Sequence, residues 1–439
     1  MNVDIDGLFD FDAGMVCAEI FVDEDVYKLE LERVFGRSWV FLAHDSMIPR
    51  AGDFLQTYIG EDPIVVARQK DGSVRAFLNQ CIHRGMRICR ADEGNARSFM
   101  CSFHGWTYDT AGNLTGVPHE KTVYRPNTFD KSTRGPRKVT RVESYKGFHF
   151  GTWAEDAPSL LEYLGDMAWY FDAYIDRYSG GLEAIANHRW IIPANWKLKA
   201  EQFASDALHA EISHASAIQV MTPKGTETAE TNHAVRAVNA TGHQFASPYG
   251  HGTGWFDVPG SLHPDPVVAN WENEQRENVA SRLGALRADT ARGHATIFPN
   301  FHFLLNGTFR VVHPRGPNEM EIWAWTMVPA EAPEPVKENY ARSLTRTFSP
   351  SGMFEQDDAE NWAEIQRILR GKVARGVRLS YEMVHDPLPS GASEFPGYVV
   401  PANYSDVAAL GLYRHYADLM SSHTWAEAVE MKLQREAAK

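Results

Sequence analysis

Apolar residues at Val26, Leu29, Leu31, Val34 and Phe35 recur at helical spacing, and this pattern predicts a helix over residues 24–36. From Trp39 the period changes to that of strands. Trp39–Leu42, Phe54–Ile59, Ile64–Arg68 and Val74–Leu78 are short β-prone runs, the last two joined across Lys70-Asp71-Gly72-Ser73, a hairpin turn signal. A second turn, Asp109–Asn113, interrupts Thr107–Leu114. Glu155–Ser159 punctuates the chain. Beyond it helical patterns (Leu160–Tyr174, Glu201–His214, Asp357–Arg370, Asp406–Ser421) mix with Ile297–Leu305, Thr308–His313 and Met320–Val328, which read as an antiparallel meander. Residues 215–265, rich in Gly, Thr, Asn and His, lack periodicity and read as a loop or lid. The pattern implies an α+β chain in three parts: a helical segment over 1–37, an all-β domain over 38–157 and a mixed domain over 158–439.

Composition narrows the picture. A chain of 439 residues with 44% hydrophobic and 23% charged residues is an ordinary globular one, too long for a single small core. The formal net charge of −14 argues against broad contact with nucleic acid phosphates. The N-terminus is acidic, without the positive region of a signal peptide, and no run of about 18 apolar residues occurs. Neither nucleic acid nor membrane is an expected partner, and a cytoplasmic location is expected.

Chemistry enters with Cys81-Ile82-His83 and, 17 residues later, Cys101-Ser102-Phe103-His104. Two short loops each supply one thiolate and one imidazole. A Rieske [2Fe–2S] centre needs this set, two cysteines on one iron and two histidines on the other. Structural zinc uses the same residue types, but its loops usually open with C-x2-4-C rather than C-x-H. Cys17 and Cys89 are left over and read as free thiols.

A second constellation lies in residues 200–214. Asp206 and His209 stand three apart and share a helix face. His209 and His214 stand five apart, about 140° on a regular helix, so they converge on one ion only where the helix bulges or loses regularity. Two imidazoles and a carboxylate make the facial triad of non-haem Fe(II) oxygenases. Among the acids of Phe354–Trp362, helical phase places Asp358 with Trp362, Ile365 and Leu369 on the buried face, and Asp357 on the side that sees solvent or caps the helix. A buried acid needs a partner, and a cation is the simplest. The expected third ligand is Asp358.

With both constellations in view, the chain resembles the large (α) subunits of Rieske non-haem iron aromatic-ring-hydroxylating dioxygenases, most of all the biphenyl, toluene and polycyclic-arene branch. The resemblance runs through Asn79–Arg87, Cys101–Trp106, Asp206/His209/His214 and Phe354–Trp362. It implies a Rieske domain followed by a helix-grip-like catalytic domain with an antiparallel sheet. The implied ligands are Cys81, His83, Cys101 and His104 for one [2Fe–2S] cluster, and His209, His214 and Asp358 for one mononuclear Fe(II). Asp206 would bridge His104 of one subunit to His209 of the next. Gln202, Phe203, Ala210, Phe348 and Phe354 would line the substrate pocket. The resemblance further implies a β subunit in an α3β3 hexamer, a ferredoxin and its reductase carrying electrons from NADH, and O2 as co-substrate. The product would be an arene cis-dihydrodiol, the alternative being monooxygenation of a polar aromatic. Arg84, Arg87 and Arg90 stand where an acidic ferredoxin would dock. Two departures are visible: naphthalene-type relatives carry asparagine where Gln202 stands, and the biphenyl branch separates its histidines by five residues rather than four. Glu211 is an unexpected acid beside a site for apolar arenes.

Overall fold

The computed structural model describes residues 3–125, 128–204, 206–221, 241–256, 260–261, 263–304, 307–389 and 391–437. The chain divides into two compact units, residues 35–160, and residues 1–34 together with 161–439.

The unit of residues 35–160 is built from three small antiparallel sheets. Val74–Leu78, Asp62–Arg68, Asp53–Ile59 and Glu93–Asn95 form the first; Leu114–Gly116, Thr107–Asp109 and Ser98–Met100 the second; Arg141–Tyr145, Phe148–Thr152 and Val40–His44 the third. The predicted hairpin turns form through their aspartates. Asp71 Oδ1 accepts from the backbone N–H of Ser73 at 2.9 Å, and Asp109 Oδ1 accepts from those of Ala111 and Asn113 at 2.9 and 2.8 Å. Phe54, Val65, Phe77, Phe99, Trp106, Tyr108 and Leu114 pack one core, and Cys81 and Cys101 are part of it.

The larger unit is organised on one eight-stranded antiparallel sheet. Its strands are β1 (Leu182–Ile192), β2 (Gly242–Ala246), β3 (Gly252–Phe256), β4 (Ala291–Ile297), β5 (Phe301–Leu304), β6 (Thr308–Pro314), β7 (Met320–Pro329) and β8 (Tyr398–Val400), in the order β1-β7-β6-β5-β4-β3-β2-β8. Six helices matter for the site: α1 (Glu24–Glu30), α2 (Trp196–Phe203), α3 (Leu208–Ile212), α4 (Ala215–Met221), α5 (Met353–Leu369) and α6 (Val407–Ser421). Asp23 caps α1, its Oδ1 accepting from the N–H of Asp25 and Val26 at 2.8 and 2.9 Å, a cap worth about 1 kcal/mol. Among the described residues no helix is long and apolar enough to cross a membrane.

Four expectations need correction. The segment 215–265 is not one loop: it contains α4, β2 and β3, while residues 222–240 lie outside the described ones. Leu160–Tyr174 is two helices, Leu160–Leu164 and Met167–Ile175, separated at Gly165. Ile297–Leu305 is the end of β4, a turn at Phe298-Pro299-Asn300, and β5. Glu201–His214 is not one helix but the end of α2, an irregular stretch and then α3, which stops at Ile212.

Candidate functional site

The two Cys/His loops of the smaller unit are built alike. In one, the N–H of Gly85 donates to Cys81 O at 2.8 Å and that of Cys81 to Met86 O at 2.7 Å; in the other, Gly105 donates to Cys101 O at 2.9 Å and Cys101 to Trp106 O at 2.8 Å. Both loops turn through the left-handed region, at Gly85 (φ 77°) and Gly105 (φ 70°), and a Cβ on Gly105 would lie 2.9 Å from Pro118 Cγ. The thiols are buried and the imidazoles reach outward, with rings 4.5 Å apart. Trp106 stacks on His83 at 4.9 Å, and Tyr108 Oη lies 3.1 Å from Cys81 Sγ. Burial pushes the Cys81 thiol up. A pair of buried thiols becomes a pair of thiolates only with a cation to hold them, and the buried Nδ1 of His83 has no hydrogen-bond partner among the described residues. The donor set fits a [2Fe–2S] cluster with sulfur on the inner iron and imidazole on the outer one.

In the larger unit, the break after α2 does what a regular helix cannot. Asn195 caps α2, accepting from the N–H of Lys197 at 3.0 Å, and the helix delivers Gln202 and Phe203 to the sheet. The irregular stretch carries Asp206, and the turn between α3 and α4 carries His214. His209, His214 and Asp358 each offer one ligand atom, all within 4.8 Å of one another. Asp358 Oδ1 lies 3.5 Å from His209 Nε2 and 3.3 Å from His214 Nε2, and neither imidazole is aimed at it as a hydrogen-bond donor. The outer ring nitrogens face carboxylates: His209 Nδ1 is 3.4 Å from Asp206 Oδ2, and His214 Nδ1 is 3.1 Å from Asp357 Oδ2. The Asp357 carboxylate fixes the tautomer of His214 that leaves its Nε2 free to ligate, and Asp206 holds His209 through the backbone, its Oδ1 accepting from the His209 N–H at 3.2 Å. Burial would raise the Asp358 carboxyl, but His214, His209 and Lys199 outweigh it and hold it at about 2. Two imidazoles and one ionised carboxylate converging in a buried pocket fit Fe(II) with open positions.

Behind this trio lies a buried ion network. Glu355, one turn before Asp358, meets Arg310 at 2.5 Å and Lys199 at 3.5 Å, and Arg310 also donates to Phe348 O at 2.7 Å. All three side chains are at most 2% exposed. On the far side of α2, Lys197 meets Glu30 of α1 at 2.5 Å, and Trp196 and Tyr416 donate to the same carboxylate at 2.8 and 2.6 Å.

Of the residues expected to line a pocket, Phe354 packs against His214 with ring centres 4.7 Å apart, and Phe348 against Phe354 at 5.2 Å. Phe203 is fully buried against His294 and His302. Gln202 accepts from Trp362 Nε1 at 2.8 Å, and its amide nitrogen is 3.2 Å from His209 Nε2. Ala210 is half-buried on α3. Glu211 turns away and accepts a hydrogen bond from Tyr404 Oη, which accounts for an acid at this position. Gln202, Asp206, His209, Trp362 and Tyr381 line an open cleft of about 540 Å³.

Two site expectations are corrected. Asp357 neither caps α5 nor simply meets solvent; it holds His214. The buried stripe of α5 is Glu355, Asp358, Trp362, Gln366 and Leu369, whereas Ile365 is 38% exposed. Sequence reasoning missed His294 of β4, whose ring stacks on His209 at 5.6 Å and is held down to about 3 by burial and then by His209.

Comparison with known proteins covers most of the chain. The family model of the ring hydroxylating alpha subunit (catalytic domain) matches residues 161–422, and that of the Rieske [2Fe-2S] domain matches residues 38–142. The benzene 1,2-dioxygenase subunit alpha of Pseudomonas putida is 46% identical, over 96% of this chain and 94% of its own. The biphenyl dioxygenase subunit alpha of Paraburkholderia xenovorans (strain LB400) is 45% identical over the same shares. A naphthalene 1,2-dioxygenase variant solved with phenanthrene bound superposes with a TM-score of 0.90 at 33% identity, covering 98% of this chain and 97% of that one.

Proposed function

The chain belongs to the family of Rieske ring-hydroxylating dioxygenase α subunits, and we propose that it is the terminal oxygenase of an NADH-dependent multicomponent system that adds both atoms of O2 to adjacent carbons of an arene, giving a cis-dihydrodiol. The observation that carries this reading is the convergence of His209 Nε2, His214 Nε2 and an ionised Asp358 in one buried pocket.

Cys81, Cys101, His83 and His104 hold the [2Fe–2S] cluster, a one-electron store. His209, His214 and Asp358 hold Fe(II), which when bound supplies the oxygen chemistry. The chain's own residues position and exclude. Asp206 keeps His209 oriented and would meet His104 of a neighbouring copy in an α3β3 hexamer with a β subunit. The aromatic wall of Phe348 and Phe354 beside His214, with Phe203, Ala210 and the Gln202 amide, takes the flat apolar ring and keeps water from it. The relatives act, by name, on benzene, chlorobenzene and biphenyl, which supports a neutral arene over a polar aromatic. Arg84, Arg87 and Arg90, all exposed, receive an acidic ferredoxin, itself reduced by a reductase. The enzyme works in the cytoplasm.

The test is product analysis under 18O2 with the reconstituted electron-transfer chain and benzene or biphenyl as substrate. Two labelled oxygens in one vicinal diol are expected; a product with one labelled oxygen overturns the dioxygenase reading.

A further inference from the structure

Two arginines of the larger unit are buried without an acid of their own. Arg177 follows the helix Met167–Ile175 and Arg292 opens β4, and they are 8% and 7% exposed. Each spends its Nη1 on a backbone carbonyl, Arg177 on Arg287 O at 2.7 Å and Arg292 on Ala173 O at 2.6 Å. The neighbouring Arg282 and Arg287 meet Asp176 and Asp172. Among the described residues Arg177 and Arg292 meet no carboxylate in this way, and their Nε atoms have no hydrogen-bond partner. The same holds for Oη of Tyr178, which is 5% exposed beside Arg177.

Arg177, Tyr178 and Arg292 line one small cavity of about 30 Å³, together with Glu272 and Tyr340. One water needs about 10–15 Å³, so the space takes one or two particles of that size. The charged groups acting on Tyr178 are Glu272, Arg177 and Arg292. The oxygens of Glu272 already accept from Tyr340 Oη and Ser261 Oγ. Two cations against one carboxylate leave one positive charge uncompensated in a buried place. Burial, and then Arg292, lower the Arg177 guanidinium from its ordinary range, as two unscreened cations must. The spare groups are also donors: a guanidinium N–H can only donate, and a tyrosine hydroxyl donates readily. A water there would have to aim its own hydrogens past two guanidinium groups. A negatively charged particle that only accepts answers the charge and the hydrogen bonds together.

We propose that Arg177, Arg292 and Tyr178 form a binding site for one chloride-class monoanion. Its entry is the open cleft of about 750 Å³ that Arg177 and Tyr178 also line, with Trp271, Gln275 and Arg282. The bound anion ties the residues after the helix Met167–Ile175 to the start of β4. Two residues further along that strand, His294 stacks on His209. The site stands independently of the oxygenase reading.

The experiment uses the assembled protein with cluster and iron loaded, exchanged into a buffer whose only anion is a sulfonate too large for the cavity. Sodium bromide is the probe, added at constant ionic strength. Above half-saturation the unfolding temperature of the larger unit is expected to rise by about 2 °C for each tenfold of bromide. Crystals grown in bromide are expected to show an anomalous peak among Arg177, Arg292 and Tyr178. Arg292→Met loses both the rise and the peak. Tyr178→Phe removes a donor that bonds no described residue, so it keeps the wild-type unfolding temperature in the absence of bromide. The same variant raises the half-saturating bromide concentration by at least about tenfold, the worth of one hydrogen bond to a charged partner. An unfolding temperature indifferent to bromide, or a cavity that holds water alone in bromide-grown crystals, overturns the proposal. So does an Arg292→Met variant that keeps the full bromide response. If Arg292→Met fails to assemble, a Tyr178→Phe variant with the wild-type half-saturation overturns it instead.

Discussion

Asp357 Oδ2 lies 3.1 Å from Nδ1 of His214, while the neighbouring residue, Asp358, presents its Oδ1 3.3 Å from Nε2 of the same ring. Consecutive acids on one helix thus address opposite edges of one imidazole. Asp358 is 2% exposed and Asp357 is 31% exposed at the side chain, so under the proposed function the inner one would hold the ion and the outer one sets the tautomer.

The two acids are expected to separate in a metal titration. Asp357→Asn keeps the shape and loses the charge, and its affinity for Fe(II) falls by about 10–100-fold. Asp358→Ala removes a ligand and leaves no measurable mononuclear site. Competition with a chelator of known affinity reads both.

Tyr108 Oη lies 3.1 Å from Cys81 Sγ, so a cluster-bound Cys81 thiolate would accept its hydrogen, and hydrogen bonds to cluster sulfur stabilise the added electron. Tyr108→Phe is expected to lower the cluster potential. A bond to a charged sulfur worth about 1.4 kcal/mol corresponds to about 60 mV for one electron. Redox titration of the visible spectrum gives the shift.

Glu355 serves two buried cations, Arg310 at 2.5 Å and Lys199 at 3.5 Å. Glu355→Gln strands both and is expected to cost about 3–5 kcal/mol in denaturant unfolding, followed on the larger unit, with iron affinity lost as α5 shifts. Pairing it with Arg310→Met recovers part of the loss, because one uncompensated charge is then gone.

Stability carries its own pH signature. Glu201 rises from 4.5 to about 7 on folding, so the folded chain keeps a proton that the unfolded one releases. Its contribution is complete below pH 4.5 and is lost as pH rises through about 7. Glu201→Gln is expected to flatten this limb, by a few kcal/mol across the window, in chemical denaturation at stepped pH.

Much of this was legible in the chain because it is local. Cys81-Ile82-His83 and Cys101–His104 are short loops whose spacing encodes their geometry, and helical phase was enough to put Asp358 inward. What is not local was misread. The stripe around Asp358 is largely polar, with Glu355 and Gln366 inside and Ile365 out, because Arg310, Lys199 and Asn195 reach those groups from distant segments. The length and position of β1 escaped notice because every residue from Leu182 to Ile191 remains at least partly exposed at the sheet edge, which blurs the alternation. His294 and Asp357 acquire their meaning only from ring and carboxylate partners far away in sequence.

The central claim is that one chain holds two separate iron assemblies, and counting iron tests it most directly. Anaerobically loaded wild type is expected to hold about three irons per chain, two of them in the cluster. Asp358→Ala is expected to hold about two with the cluster's visible spectrum intact. A wild type that binds no iron beyond its cluster, or an Asp358→Ala variant that keeps the full wild-type count, contradicts the account.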